Sequence, residues 1–507
     1  MKNISFKMCI VAIIASKSLT QVFADEVEII QSPGSTHIQK HKPKIFSYDG
    51  MLASFIKAGF NNAKVDTAIG QYPTESFGTI FGQFNTHYDF TEIISNESVN
   101  VLKIGLGVSA GGLFIDSTLR DGASFNGSGL SGGSGLNNNY FGGWNGYLGN
   151  LNDDGYPYKH NRNFVVQNAY VDLQTKYFNF KGGRYESSMD YHSGYTQGVN
   201  LDVHFGYGDK ARNPDNEIKI WWFSSFGRAF AYSEWFLDFY AVKFANIDGK
   251  LVNLGIHAAG VDIKYGGLVD SNNYKKGSSL LVRPFLYFYA GLYEAPGLKL
   301  VYENQFGNGF GLKTTLQGFF LHIHPANQLN ADKGAGKSRY NEYIDEYSGN
   351  LNFILQAFFH NHNARVGIYK NFGSGNAHFG TYGNPMGFDF WTASVYDIGA
   401  SISDVINRNA ITGYFSGGGS YNLKYGTLTW DILARLTRSP RSDEESVALY
   451  ISHAFKNNIA LGLKLEWFRD TTKAGYNPGA TLPKTENLTV ARTDDRSHAF
   501  ITFDYKF

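Results

Sequence analysis

Cysteine is almost missing from this chain: Cys9 is the only one. It lies in the N-terminal segment expected to be removed, and too near Lys7 for a lipoprotein site. The mature chain therefore has no disulfides, no thiol nucleophile and no cysteine-ligated metal. Long apolar runs are missing too. No stretch beyond that segment approaches the ~18 consecutive apolar residues of a spanning helix; the nearest, 284–293, is about half that length and rich in Tyr and Phe. A charge excess is the third absence. Lysine and arginine number 45 against 44 acids, and removing residues 1–24 takes away three lysines and no acid, leaving about two net negative charges. That balance argues against a nucleic-acid binder and leaves the ion preference of any pore open. No repeat of fixed period runs through the chain.

What the chain has instead is a texture. Aromatics make up 16 % of it, with 33 tyrosines and 58 glycines, and its mean hydropathy is mildly negative. A membrane barrel needs polar residues inside and apolar ones outside, which averages to a moderate hydropathy. The N-terminus carries an export pattern. Lys2 and Lys7 form a positive region, Met8 to Ile14 a short apolar core, and Val22-Phe23-Ala24 a small-residue cleavage pattern before Asp25. Residues 1–24 thus read as a secretory signal peptide. Residues 25–50, polar with Pro43 and several lysines, read as a leader, and 51–507 as the barrel.

The closing residues give the clearest strand. Ala499, Ile501, Phe503, Tyr505 and Phe507 form an unbroken apolar set, interleaved with polar His498, Thr502, Asp504 and Lys506, Phe500 being the exception. Side chains alternate across a strand, so the odd-numbered face is expected to meet lipid and the other the channel. Ile459, Leu461, Leu463, Leu465 and Trp467 repeat the pattern after a tight turn at Asn457-Asn458, where asparagine tolerates positive φ. Similar segments fall at 99–107, 165–175, 178–185, 217–226, 251–264, 280–290, 298–304, 310–320, 351–360, 364–372, 427–436 and 447–452. The connection 470–496 is long and polar, and 116–160 is a glycine-asparagine-rich stretch of a size that is usually functional or surface-exposed. Short periplasmic turns and long extracellular loops are the barrel pattern. The expected fold is all-β: a transmembrane antiparallel β-barrel of about 16–18 strands around a water-filled channel.

Two long motifs carry a family resemblance. The stretch from Gly182-Gly183-Arg184-Tyr185-Glu186-Ser187-Ser188 through Met189-Asp190-Tyr191-His192 to Gly198 resembles a motif of the Helicobacter outer-membrane (Hof) family. Lys219-Ile220-Trp221-Trp222-Phe223-Ser224-Ser225-Phe226-Gly227-Arg228-Ala229-Phe230-Ala231 resembles a second, and Gly59-Phe60-Asn61 with Tyr72-Pro73-Thr74-Glu75-Ser76-Phe77 matches the family's N-terminal texture. That family is similar to monomeric OprD-type porins. The resemblance implies 18 strands and passage of small solutes; it supports the fold more than the substrate.

Inward-facing charges are the first site candidates. Alternation turns Asp431, Arg435, Lys464 and Glu466 away from lipid, and Arg365 and Arg283 are assigned to the same side. They would form a charged pore lining that guides an anionic or carboxylate solute. The bland alternative is a solvated wall whose charges pair with one another, generic to polar lumens. Arg184 and Arg228 stand in the family-like motifs among aromatics, and are constriction candidates if their loops bend inward. Tyr505 and Phe507 are assigned as an assembly signal, because an alternating strand ending on an aromatic resembles that of outer-membrane barrels. Other patterns are weaker. Gly129-Leu130-Ser131-Gly132-Gly133 matches G-x-S-x-G but lies in loop sequence without the strand and helix of a nucleophile elbow. His322-Ile323-His324 and His360-Asn361-His362 each put two imidazoles on one strand face, which could hold a metal given further ligands. Polar wall is the commoner origin, so no metal, cofactor or catalytic residue is expected. Gly307-Asn308-Gly309 reads as a turn between strands.

The expected function is an outer-membrane porin for passive diffusion of small hydrophilic solutes, not an enzyme. Its expected partners are outer-membrane lipid, the barrel-assembly machinery through the last strand, and the solutes; nucleic acid is excluded. The rival reading is a surface adhesin or antigen that displays its loops to host surface molecules.

Overall fold

The computed structural model describes residues 45–507 apart from 64–65, 67–68, 72, 75, 95–97, 117–139, 142–143, 146–163, 210–212, 235, 241–244, 248–249, 272–273, 325–345, 374–403 and 479–485. The signal peptide, nearly all of the leader and the G-x-S-x-G stretch lie outside the described residues, as does most of the long connection 116–160.

One antiparallel sheet closes on itself, with a wall of 18 strands. They are β1 (Phe46–Gly59), β2 (Phe77–Asp89), β3 (Val99–Asp116), β4 (Phe164–Thr175), β5 (Phe178–Met189) and β6 (His192–Gly206). There follow β7 (Glu217–Ala231), β8 (Ile256–Ser271), β9 (Tyr274–Tyr289), β10 (Tyr293–Phe306), β11 (Phe310–Ile323) and β12 (Tyr347–Phe359). The ring is completed by β13 (His362–Gly373), β14 (Ile411–Leu423), β15 (Gly426–Arg438), β16 (Ser442–Phe455), β17 (Ile459–Thr472) and β18 (His498–Lys506). Each pairs with the next, and β1 pairs with β18 from Met51↔Lys506 to Gly59↔His498. Closure removes the unpaired edge that hydrocarbon would not tolerate. No described helix is long and apolar enough to cross a membrane.

The wall is inside-out relative to a soluble sheet. On β17, Leu461, Leu463, Leu465 and Trp467 are 42–46 % exposed, whereas Lys464, Glu466 and Phe468 are 2–4 %. Leucines shown to the surroundings and charges covered within are what a lipid-facing exterior and a polar interior require. On β18, Ile501 and Tyr505 face outward, and His498, Thr502 and Asp504 inward. Phe500 also points inward, where it meets the rings of Phe55 at 5.0 Å and His498 at 4.7 Å and lies under the Lys464 ammonium at 4.7 Å. A covered patch on the inner wall explains why this one residue breaks the polar series.

The wall starts at Phe46, within the segment read as leader. Phe46 and Tyr48 extend the outer aromatic face of β1, against Tyr88 at 5.2 Å and Phe84 at 6.0 Å respectively. The motif around Gly59 locks the next connection. The Thr74 carbonyl occupies the place of a Gly59 Cβ, and the Gly59 N–H donates to Ser76 Oγ at 2.8 Å. Phe60 N–H donates to the Ser497 carbonyl, which ties the connection to the chain just before β18, across the closing seam.

Connections divide by end. At one end they are short, as at 176–177, 360–361 and 424–425, with Asn458 at φ 65° and Gly307 and Gly309 at 77° and 81° in their turns. The other end carries 60–76, 117–163, 232–255, 324–346, 374–410 and 473–497. Outer-membrane barrels point short turns to the periplasm and long loops outward, which orients the molecule.

The outer ends of β5, β6 and β7 leave the wall. β4 pairs with β5 only as far as Ala169↔Arg184, and β8 with β7 only as far as Ile256↔Ser225. Beyond those points the three strands pair only among themselves and with Phe236–Tyr240. A bulge between Gln197 and Gly198 marks the bend, and the Ser224 carbonyl presses so closely on Gly198 that no Cβ would fit. This extension is a tongue folded into the lumen. Tyr191 is 1 % exposed, Ala229 0 % and Arg228 6 %, values impossible for a hairpin standing free above the rim.

Candidate functional site: a lumen narrowed from one side

The tongue spans the interior by two edges. At its tip, Tyr191 packs on Phe285 and Tyr287 of β9 and Phe319 of β11, at 5.8, 5.6 and 5.2 Å between rings. At its other edge, Thr79 Oγ of β2 donates to the Ser233 carbonyl at 2.6 Å, Phe81 meets Phe236 at 6.1 Å, and Gln83 donates to Tyr195 Oη at 3.0 Å. β2 and β11 face each other across the ring, so the tongue spans the lumen between them. Inner-wall side chains beyond that span are covered as well, with Arg435 of β15, Lys464 of β17 and Asp504 of β18 only 1, 4 and 1 % exposed. The backbone of Trp144, from the long connection after β3, pairs with Phe236 and extends the tongue's sheet.

A charge ladder holds the tip. Strand pairing sets Lys219 of β7 beside Asp262 of β8, and Arg283 of β9 beside Lys299 of β10. Arg283 grips Asp262 with two hydrogen bonds, Nε to Oδ1 at 2.7 Å and Nη2 to Oδ2 at 2.8 Å. Lys219 Nζ stands 3.5 Å from the same carboxylate, and Trp221 Nε1 donates to it at 2.8 Å. The turn residue Asp190 then reaches in from the tongue: Lys299 Nζ donates to it at 2.9 Å and Arg283 Nη1 at 3.3 Å. Paired guanidinium–carboxylate forks fix geometry as well as energy. Because Asp262 is 1 % exposed, breaking its pair would cost on the order of 3–5 kcal/mol, far more than an exposed one.

A second inward fold closes part of the opposite side. Residues Asp404–Ile406 form a 3-10 turn whose Val405 packs with Tyr369, Tyr414 and Leu433 on the inner wall. Asp404 accepts from Arg441 and from Ser442 Oγ, each at 2.5 Å, and its own N–H donates to Glu444 Oε1 at 2.7 Å. Glu444 in turn pairs with Arg435. Two carboxylates, joined through the Asp404 N–H, thus stand between two arginines in a covered chain.

On the inner face of β17, Lys464 Nζ lies 2.7 Å from Glu466, which also accepts from Ser446 Oγ at 2.6 Å. Asp431 shares the inner face of β15 with Arg435, its carboxylate against Gly418. Arg365 differs. Its Nε donates to Ser416 Oγ at 3.0 Å, and Asp431 acts on it electrostatically without a direct contact.

The two motif arginines are placed differently. Arg228 lies within the tongue, donating to the Ser193 carbonyl at 2.8 Å and packing 4.6 Å from the Phe230 ring. Arg184 projects from the face of β5 opposite Lys181 and Tyr185, donates to Gln197 Oε1 at 3.1 Å and stacks 4.3 Å from Phe239. Tyr505 stands on the lipid face, and the Phe507 backbone exchanges two hydrogen bonds with Gly50. His360 sits in the turn before β13 beside Tyr274 Oη, while His362 stacks on Tyr421, so that pair diverges. His322 and His324 converge on Glu294. Sequence reasoning passed over Lys219, Asp262, Asp190, Lys299 and Glu444. Asp190 and Lys219 lie inside the quoted motifs, but what links these residues to one another is strand register and a bend, which single-chain alternation does not contain.

Among curated sequences nothing matches significantly. Solved structures similar in fold include OccAB4 of Acinetobacter baumannii, at TM-score 0.54 and 10 % identity over 91 % of this chain and 98 % of that one. OpdO of Pseudomonas aeruginosa gives 0.53 and 10 % over 91 % and 97 %. The outer membrane protein opdK of Pseudomonas aeruginosa gives 0.51 and 10 % over 91 % and 98 %. These neighbours agree with the OprD-type resemblance carried by the motifs. A family model described as "Putative outer membrane protein" (HP_OMP_2) matches residues 37–507, and the chain therefore belongs to that family of bacterial outer-membrane proteins, as an 18-strand porin-like barrel.

Proposed function

We propose that the protein is a diffusion porin for small hydrophilic solutes, with the tongue setting the width of the passage and the charges of the inner wall setting its preference. The observation that carries this reading is the tongue itself: a buried, charge-anchored fold across a polar lumen. A barrel kept only as a display scaffold has no use for such a device. Nothing in this reading calls for a cofactor or a catalytic residue. Residues 1–24 act as the export signal, and the last strand, with Tyr505 and Phe507, engages the assembly machinery.

Arg365 is the strongest candidate for selectivity. Arg283, Arg435 and Lys464 have carboxylate partners that cancel much of their field, whereas Arg365 is held by a hydroxyl. Asp431 offsets part of the Arg365 charge, but a cation without a carboxylate in direct contact keeps more of its field, which attracts anions and repels cations. Arg365→Gln is expected to lower the anion-to-cation permeability ratio severalfold, read as a shift of reversal potential across a bilayer with unequal salt. The same substitution at Arg184, on the opposite face from Lys181, is expected to leave the ratio unchanged. An unchanged ratio in Arg365→Gln removes its selectivity role, and failure of the full chain to admit sugars or amino acids in a liposome-swelling assay removes the porin reading.

A further inference from the structure

On the outer face of the wall, at its extracellular rim, two imidazoles and a carboxylate meet. Leu321 and Ile323 of β11 are fully covered on the inner side, so His322, and His324 directly after the strand, project outward. Tyr293 and Ala295 are likewise covered and turn Glu294 of β10 outward. Glu294 and His322 are direct cross-strand partners, and the His324 N–H donates to the Leu292 carbonyl at 2.8 Å. Glu294 and His322 therefore stand on a hydrogen-bonded strand pair, which positions ligands better than a loop does, and the backbone bond to Leu292 holds His324 directly beyond its end.

The donor atoms are aimed at one point. His322 Nδ1 lies 2.5 Å from one oxygen of Glu294 and His324 Nε2 lies 2.5 Å from the other. All three ligand atoms fall within 4.8 Å of one another. In a tetrahedral zinc site, ligands at about 2.0–2.1 Å from the ion stand roughly 3.3 Å apart. Opening the two short contacts and closing the imidazoles takes shifts of about 1 Å, within reach of side-chain rotation. The second nitrogen of His322, Nε2, faces Glu346 at 3.6 Å, and the ring stacks on Tyr347 at 5.3 Å. A metal-bound imidazole commonly turns its other N–H to a carboxylate in this way.

We propose that Glu294, His322 and His324 form a site for a divalent transition-metal ion of the zinc type at the outer rim. Imidazole donors favour Zn2+, Cu2+ and Ni2+ over Mg2+ and Ca2+, which take oxygen ligands. Binding requires the ligating imidazole nitrogens to be free of protons, which for His322 puts the ring proton on Nε2, toward Glu346. Three protein ligands leave a fourth position to solvent. The ion would clamp β10 to β11 outside the place where the tongue tip packs inside.

Calorimetric titration of the full-length, detergent-folded protein with ZnCl2 tests this. One Zn2+ per barrel is expected, and the His322→Gln/His324→Gln double variant, which keeps hydrogen bonding to Glu294, is expected to weaken binding at least ~100-fold. Glu346→Gln should weaken it about tenfold, the usual effect of removing an outer carboxylate. Excess Ca2+ should not compete. Zn2+ binding unchanged in the double variant, or equal competition by Ca2+, overturns the site. Should the double variant not fold, Co2+ added to the unaltered protein decides: the intense visible absorption of four-coordinate Co2+ supports the site, and the pale octahedral spectrum overturns it.

Discussion

Asp190 is the one carboxylate that the tongue tip extends to the wall, and it sits between Lys299 and Arg283. Each charge-assisted bond contributes about 1.5–3 kcal/mol. Asp190→Asn keeps the shape and a weak acceptor but leaves two neighbouring cations without their shared anion. The tip is expected to detach intermittently, giving a noisier and larger single-channel current, with faster protease cleavage near 188–193. Asp190→Glu should restore most of the quiet behaviour; a trace identical to that of the unaltered protein in Asp190→Asn would mean the aromatic packing of Tyr191 alone holds the tip. Residues of this kind are hard to read in a sequence. The side of the wall on which Lys464 or Arg435 lies follows from neighbours two positions away, because alternation is local. That Arg435 meets Glu444, or Asp190 meets Lys299, depends on register and on a bend, and neither is local.

The closing seam shows the same division among elements. The last strand is legible because lipid demands an unbroken apolar face, and Ile501, Phe503 and Tyr505 supply it. Its partner is less so, since β1 begins inside a segment that reads as polar leader. Gly50 of β1 exchanges both backbone hydrogen bonds with Phe507, and the Phe507 ring occupies the space of a Gly50 Cβ. Gly50→Val would therefore expel the ring, and Phe507→Ala would remove it. Both are expected to lower the fraction of heat-modifiable, folded barrel in membranes severalfold, whereas Lys506→Ala, at an exposed position, should not. Equal assembly of all three variants would show that the seam does not depend on this contact. The tongue was not legible as an element at all. β5, β6 and β7 continue through it with the same aromatic-glycine texture. Only Gly198, pressed against the Ser224 carbonyl, and Gly183, at φ 117°, mark where the wall is left behind.

At the scale of the whole molecule, two physical demands explain why the architecture can be anticipated and the passage cannot. Hydrocarbon forces every strand to be paired and every outward face to be apolar, so an inside-out alternating pattern over the chain admits few alternatives to a closed barrel. Water inside imposes no such uniformity. The lumen is shaped by segments that fold back into it, the tongue from β5–β7 and the turn at 404–406, whose positions follow from contacts between distant strands. In the function proposed, the tongue narrows the channel that the barrel encloses. Single-channel recording in planar bilayers tests it most directly, comparing the full chain with a variant in which residues 187–194 are replaced by a two-residue turn. Discrete conductance steps are expected from both, with steps from the shortened variant at least about twofold larger. Equal steps from the two proteins, or no steps from either, would contradict it.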